Sequence, residues 1–364
     1  MVYYTIVLNK INISFTLNSK LRSKTICTYP ISFQNAFSIF NYATDKSTAL
    51  NEQVIRINKL DYICLEYADT VTLNNNITFT WNYYQPKHSD FIAEMPNVVG
   101  FGYDMNNTLV YQLKSQGIIN KAIFALCKHT SNNGTIYLGD VSTEMKRNKR
   151  VIMQDINEIP GLFIESISFG KHMFNCDKSY FRLEADGGVL IVPERFFKEI
   201  NNTLFDEYYL NNVCEYVSNG NSNSFNYKIE CKERIVDMFH NEMKLKINDN
   251  NSIVLQTIDL FHCYNEKCYF TIYPHINHNN NEFILGTRFI TLFDIVEFNY
   301  EKEGNINPHI SMYSDKYIYN NTNINFNKNI TQKGYCLIIC ILIYGIYILL
   351  LIKRKLISNL NIHS

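Results

Sequence analysis

The 364-residue chain has no excess charge of either sign, since 34 Lys and Arg balance 34 Asp and Glu. Nothing in that balance points to electrostatic capture of nucleic acid, which needs a basic face to neutralise phosphates. No glycine-rich phosphate loop, no nucleophilic-serine signature and no solenoid-type internal repeat is present. No cofactor-binding pattern is present either, so no cofactor is expected. The first residues, Met1 to Ser14, lack the basic start and unbroken apolar core of a signal peptide.

What is present is apolar and aromatic. A content of 46% hydrophobic and 14% aromatic residues rules out a disordered chain, and the length suffices for two lobes with separate cores. Twenty-six Tyr and 24 Phe, with abundant Ile, favour strands. Gly334 to Ile352 carries no charge and is followed at once by Lys353, Arg354 and Lys355. An apolar run of this kind crosses a hydrocarbon core of roughly 30 Å as a helix, with its basic flank in the cytosol. The alternative is a buried core helix, although the run is apolar on every face.

Translocation of the remainder then needs an explanation. Either a first exon with a signal peptide is missing, or the protein is inserted tail-first with its large domain in the cytosol. Eight cysteines (27, 64, 127, 176, 214, 231, 263 and 268) lie outside the span, an even number that suits a lumenal disulfide set. Sequons at Asn12, Asn76, Asn133, Asn201 and Asn329 point the same way. The favoured expectation is a single-pass, type I protein of the endoplasmic reticulum or secretory pathway.

Two stretches carry a recognisable pattern. In the first, Val99-Gly100-Phe101-Gly102 is followed by Leu113 to Ile119, then Ile123-Phe124-Ala125-Leu126 and a hairpin from Gly134 to Gly139. In the second, Phe283-Ile284-Leu285-Gly286 leads through a short helical stretch to a hairpin around Glu301 to Gly304. Both resemble the pepsin-like aspartic proteases, over roughly residues 3 to 310. The resemblance implies a mainly β, bilobal fold plus one C-terminal transmembrane helix, in a monomer. Its parts would be an N-terminal lobe at 1–145, a C-terminal lobe at 146–312, a polar stalk at 313–333, the membrane helix at 334–352 and a tail at 353–364.

The same resemblance implies a mechanism. Two aspartates, one per lobe and each in an Asp-Thr/Ser-Gly loop, share one proton because like charges so close cannot both ionise. Counting back from the landmarks puts the first aspartate at Asn18, followed by Ser19 and Lys20, so a carboxylate is replaced by an amide that cannot act as a base. Asp45, the rival, fits a surface loop better. The substrate-covering flap falls on Ile57 to Leu60, or on Tyr62 if a small insertion shifts the count. The second aspartate falls on Glu184 counted without a gap, or on Asp186 with a two-residue deletion, and Gly187 and Gly188 follow. These positions predict a catalytically inactive cleft that binds a peptide or protein.

His262, Cys263, Cys268, His275 and His278 have the look of a metal set, but no metal is expected. The resemblance implies instead a disulfide joining Cys263 or Cys268 to Cys214 or Cys231. The terminal anchor and cysteine enrichment resemble the plasmepsin V branch of apicomplexan aspartic proteases. The alternative function is an active secretory-pathway endopeptidase whose N-terminal catalytic loop is missing or misread.

Overall fold

A computed structural model describes residues 2–7, 12–17, 26–32, 38, 50–57, 60–73, 77–86, 99–103, 108–130, 133–156, 158–184, 188–218, 227–275 and 281–320. The first part of the chain forms β1 (Val2–Val7), β2 (Asn12–Leu17), β3 (Ile26–Ser32), β4 (Asn51–Ile57), β5 (Leu60–Leu73), β6 (Ile77–Pro86) and β7 (Val99–Gly100). After these come α1 (Leu109–Ser115), β8 (Ile123–Thr130), β9 (Asn133–Leu138) and α2 (Thr143–Lys146). The next part forms β10 (Val151–Asp155), β11 (Gly161–Phe169), β12 (His172–Leu183), β13 (Leu190–Val192), α3 (Glu194–Leu204), α4 (Asp206–Leu210), β14 (Cys214–Ser218) and β15 (Tyr227–Lys232). It continues with α5 (Ile235–Met238), β16 (Met243–Lys246), β17 (Asn251–Leu255), α6 (Thr257–Leu260), β18 (Phe261–Tyr264), β19 (Lys267–Phe270) and β20 (Ile272–Pro274). The last elements are β21 (Phe283–Leu285), α7 (Thr287–Ile290), β22 (Ile295–Asn299), β23 (His309–Tyr313) and β24 (Ile318–Asn320). The fold is mainly β, as expected.

A six-stranded antiparallel sheet in the order β1-β9-β8-β22-β23-β10 unites the two halves, with β8 pairing β22 from Ile123↔Asn299 to Cys127↔Ile295. Alternation along these strands sends Phe124, Leu126, Val296 and Phe298 to one face, where they join the main core. Phe124 and Phe298 stack there with ring centroids 4.4 Å apart. On the opposite face Ala125, Cys127, Tyr137 and Ile295 form a smaller cluster. Glu297 is buried on that side and ion-paired to Lys146, whose ammonium also lies over the Tyr313 ring.

The first half adds a sheet ordered β4-β5-β2-β3-β7, with β6 on the other side of β5. An open strand edge such as that of β6 invites pairing with foreign chains. Here α1 covers it. The Gln112 amide accepts from Asn82 N–H (2.8 Å) and donates to Asn82 O (3.1 Å), and Gln116 does the same with Thr80 (2.8 and 2.7 Å). Residues four apart share a helix face, so two glutamines match two alternate strand residues. The buried face of α1 carries Leu109, Val110 and Leu113.

The second half adds an eight-stranded sheet ordered β20-β13-β21-β12-β11-β16-β17-β24 and a four-stranded sheet ordered β14-β15-β19-β18. The fold continues beyond residue 312, where a stalk was expected. Tyr317 and Ile318 are buried, Val254 N–H donates to Tyr317 O, and the Tyr317 hydroxyl donates to the Asp259 carboxylate at 3.0 Å. Two apolar side chains thus anchor a segment that reads as polar overall. Among the described residues no helix is long and apolar enough to cross a membrane, and the run 334–352 lies outside them.

Candidate functional site

The centre of interest is a crossing of strands in the second half. β12 runs parallel to β21, with Phe181↔Phe283, Arg182↔Ile284 and Leu183↔Leu285 in register. Glu184 N–H then donates to Leu285 O at 3.0 Å. After the loop the chain returns as β13, which pairs antiparallel with the other edge of β21. The Gly286 N–H closes the crossing by donating to Val189 O at 3.2 Å. Glu184 therefore stands at the first position past a parallel strand pair, beside Gly286.

The first half contains a counterpart. β3 runs parallel to β7, with Ile31↔Val99 and Ser32↔Gly100 in register. Gly100 N–H donates to the buried Ser38 hydroxyl at 3.2 Å, and Ser38 O accepts from Tyr84 N–H at 2.9 Å. The Thr108 hydroxyl donates to Gly100 O at 3.5 Å. Matching Gly100 with Gly286 matches Ser32 with Glu184. The Phe101 carbonyl, next along, accepts the buried Tyr300 hydroxyl, and the Tyr111 hydroxyl donates to Tyr300 O at 2.8 Å. These tyrosine bonds tie the first crossing to the shared six-stranded sheet.

Counting along the sequence led to Asn18, which follows β2; Asn18 lies outside the described residues. The strand that runs parallel to the Gly100 strand is β3, which ends at Ser32, and β2 pairs antiparallel with it. Ser32 carries no motif signal in the sequence, since its strand, Ile-Cys-Thr-Tyr-Pro-Ile-Ser, contains Pro30 and ends without a glycine or an aspartate. The usable signal was the apolar Ile31 before a polar residue at the same offset as Leu183 before Glu184.

Glu184 is half-buried and has a cationic neighbour. Arg182, two residues earlier on the same face of β12, lies 3.6 Å from the Glu184 carboxylate and 3.1 Å from that of Glu282. Asp186 and Gly187 lie outside the described residues. Gly188 is buried with its open side filled: a Cβ there would lie 2.4 Å from Thr271 O and 2.5 Å from the Tyr273 ring. It serves close packing inside the lobe. Thr287, which opens α7 just past Gly286, is buried, and its hydroxyl makes no hydrogen bond. The next residue, Arg288, donates to Phe261 O at 2.6 Å, and burial lowers its pKa against the pull of Tyr273 and Asp259.

The expected flap, Ile57 to Leu60, falls at the turn end of the β4–β5 pair. β4 and β5 pair from Asn51↔Glu66 to Ile57↔Leu60, so two residues, 58 and 59, connect them. Tyr62 pairs with Ile55 within the ladder, away from the connection. Val54 and Ile63 are register partners on one face and both exposed.

The cysteines pair differently from the expectation. Cys214 joins Cys231, and Cys263 joins Cys268, with Cα separations of 3.9 and 4.0 Å. Each bond links direct cross-strand partners, which spacing in the sequence does not reveal. Cys64, Cys127 and Cys176 are free and buried, and burial pushes their thiols up to about 11, 12 and 12. The disulfide removes Cys263 and Cys268 from the notional metal set, and His278 lies outside the described residues. Among the described residues no group of three or more His, Cys, Asp or Glu side chains is placed to hold a metal ion.

Curated proteins provide no significant match to this chain. A family description does match: residues 33–305 fit the pattern named "Asp: Eukaryotic aspartyl protease", which begins at the residue after Ser32 and takes in the Gly100 strand and the whole of the second crossing. With three quarters of its length covered by that match, the chain belongs to the eukaryotic aspartyl protease family.

Proposed function

We propose that this family member is an inactive aspartic-protease-like protein that binds a peptide or a protein partner in the family's cleft. The observation that carries the reading is the register of the two crossings. It favours Ser32 and Glu184 as the residues at the two catalytic positions. A serine hydroxyl does not supply the carboxylate base that activates water, nor does the amide of Asn18, the position reached by counting. Glu184 has the Arg182 guanidinium 3.6 Å away, and the family mechanism needs a second carboxylate, from the other lobe, to share a proton with it. Its carboxylate also reaches one methylene further than that of an aspartate, on the order of 1.5 Å, a misplacement that costs roughly a hundredfold.

The surrounding attributes belong to the same proposal. The two lobes divide near residue 145, and the apolar run 334–352 anchors the protein in a membrane with Lys353 to Lys355 in the cytosol. Two disulfides favour an oxidising compartment for the folded part, such as the endoplasmic reticulum or a later secretory station. Cysteine enrichment beside a terminal anchor supports kinship with the plasmepsin V branch. The test is affinity selection of a peptide library on the full-length protein in detergent, at pH 4 to 7. The proposal expects retained peptides to be recovered intact. Recovery of cut peptides, with cutting blocked by pepstatin, would overturn inactivity, and failure to retain any peptide or protein would overturn binding.

A further inference from the structure

The four-stranded sheet β14-β15-β19-β18 holds all four disulfide-bonded cysteines in one cross-strand row. Cys214 faces Cys231, Cys231 faces Cys268, and Cys268 faces Cys263. Register partners in antiparallel strands project to the same side, so the four sulfurs share a face with Ile229, Phe261 and Phe270, all buried. Antiparallel pairs alternate between narrow, non-hydrogen-bonded pairs with Cα atoms about 4.5 Å apart and wide, hydrogen-bonded pairs about 5.5 Å apart. Lys232 N–H donates to Val213 O, which makes the neighbouring Cys214/Cys231 pair a narrow one. Glu233 N–H donates to Glu266 O, which by the same alternation makes Lys267/Lys232 narrow and Cys231/Cys268 wide. Both existing bonds therefore sit on narrow pairs. The unused central pair sits at the wide spacing, which falls within the ordinary disulfide range of about 4.4 to 6.8 Å.

From this row we infer that the sheet is a thiol–disulfide exchange site whose second stable pairing is a central Cys231–Cys268 bond. Its substrate is a low-molecular-weight monothiol of the glutathione class. Cys263, on the hairpin that turns at Asn265 and Glu266, is exposed, whereas Cys231 and Cys268 are buried. The incoming thiolate attacks Cys263 Sγ, forms a mixed disulfide there and releases Cys268 as thiolate. Cys268 attacks Cys231, forming the Cys231–Cys268 bond and releasing Cys214, which takes up a proton. A second monothiol resolves the mixed disulfide on Cys263. The sum converts two monothiols and two protein disulfides into one small-molecule disulfide, one protein disulfide and the free thiols of Cys214 and Cys263. The strands need not part, because every bond made or broken links register neighbours.

Limited reduction reads this out directly. Full-length protein in detergent is treated with stepwise increments of reduced glutathione, quenched in acid, alkylated and digested with trypsin. Cleavage after Lys198, Lys228, Lys232, Lys246, Lys267 and Arg288 puts each of the four cysteines on a separate peptide. Cys64, Cys127 and Cys176, with raised thiol pKa values, alkylate slowly while the protein is folded. The expected first product couples the Cys231 and Cys268 peptides, with alkylated Cys214 and Cys263. A first product with Cys214–Cys231 intact and both Cys263 and Cys268 alkylated would overturn the inference. Cys263→Ser gives a second arm, because it leaves Cys268 facing an intact Cys214–Cys231 bond. That variant is expected to be isolated with Cys231–Cys268 linked and Cys214 free. Its isolation with Cys214–Cys231 linked would contradict the exchange.

Discussion

The two strand crossings share one backbone plan and differ in what they present. In the second half, β12 and β21 run parallel, the glycine N–H of Gly286 is tied to Val189 O, and the residue past the strand is an acid, Glu184. In the first half, β3 and β7 run parallel, the glycine N–H of Gly100 is tied to the Ser38 hydroxyl, and the matching residue is Ser32. A crossing keeps its shape through backbone pairing and a buried glycine, which place no demand on the side chain at the end of the partner strand. The backbone plan can therefore persist with an acid at one crossing and a serine at the other.

Four substitutions probe how far the likeness extends. The largest effect is expected at Gly188, where an added methyl meets the Thr271 carbonyl oxygen at 2.4 Å. Gly188→Ala is expected to cost about 3 kcal/mol, the upper end of ordinary overpacking, as a loss of urea stability. Its counterpart at the first crossing is Ser38→Ala, which leaves the buried Gly100 N–H without its acceptor. A cost of about 2 kcal/mol is expected, and an unchanged urea midpoint would mean the first crossing is not held in the way the second is.

Glu301 links the halves next, because its carboxylate accepts from Ala122 N–H and pairs with Lys114. Burial alone would raise its carboxyl, but the Ala122 N–H and the Lys114 ammonium outweigh burial and hold it below the usual carboxylate range. A carboxyl lowered by folding adds stability above its unfolded pKa and loses that contribution as pH falls through the folded value. Glu301→Ala is accordingly expected to cost about 1 to 2 kcal/mol at neutral pH, with the gap to the unmodified protein closing as the pH is taken below about 4. A gap that stays constant from pH 7 to pH 3 would remove the linkage. The smallest effect is expected for Arg182→Gln. Its ion pairs are partly open to water, so the urea midpoint should reflect a loss under about 1 kcal/mol, and no proteolysis should appear.

Much of this plan was legible in the sequence. The Val99-Gly100 strand, the β8–β9 hairpin and the Phe283 to Leu285 strand announce themselves through apolar runs punctuated by glycine, and each stands where the resemblance implied. An ungapped count back from Pro193 leads to Glu184, the residue that follows β12 at the second crossing. No such count leads to Ser32, the residue in register with Gly100, because two hairpins of variable length intervene and Pro30 argues against a strand. The disulfide pattern was hidden for a different reason: four cysteines allow three pairings, and only strand register separates them. The fold's extension to Tyr317 and Ile318 was masked by polar neighbours, because two buried side chains barely alter the mean character of the segment.

The account rests on the absence of a second carboxylate at the paired crossings. The most direct measurement is a mass-spectrometric cleavage assay of an unbiased peptide library by full-length protein, unmodified and as Glu184→Gln, each with and without pepstatin. The account predicts four indistinguishable product profiles, with no pepstatin-sensitive cut. Products made by the unmodified protein, blocked by pepstatin and lost in Glu184→Gln, would contradict it.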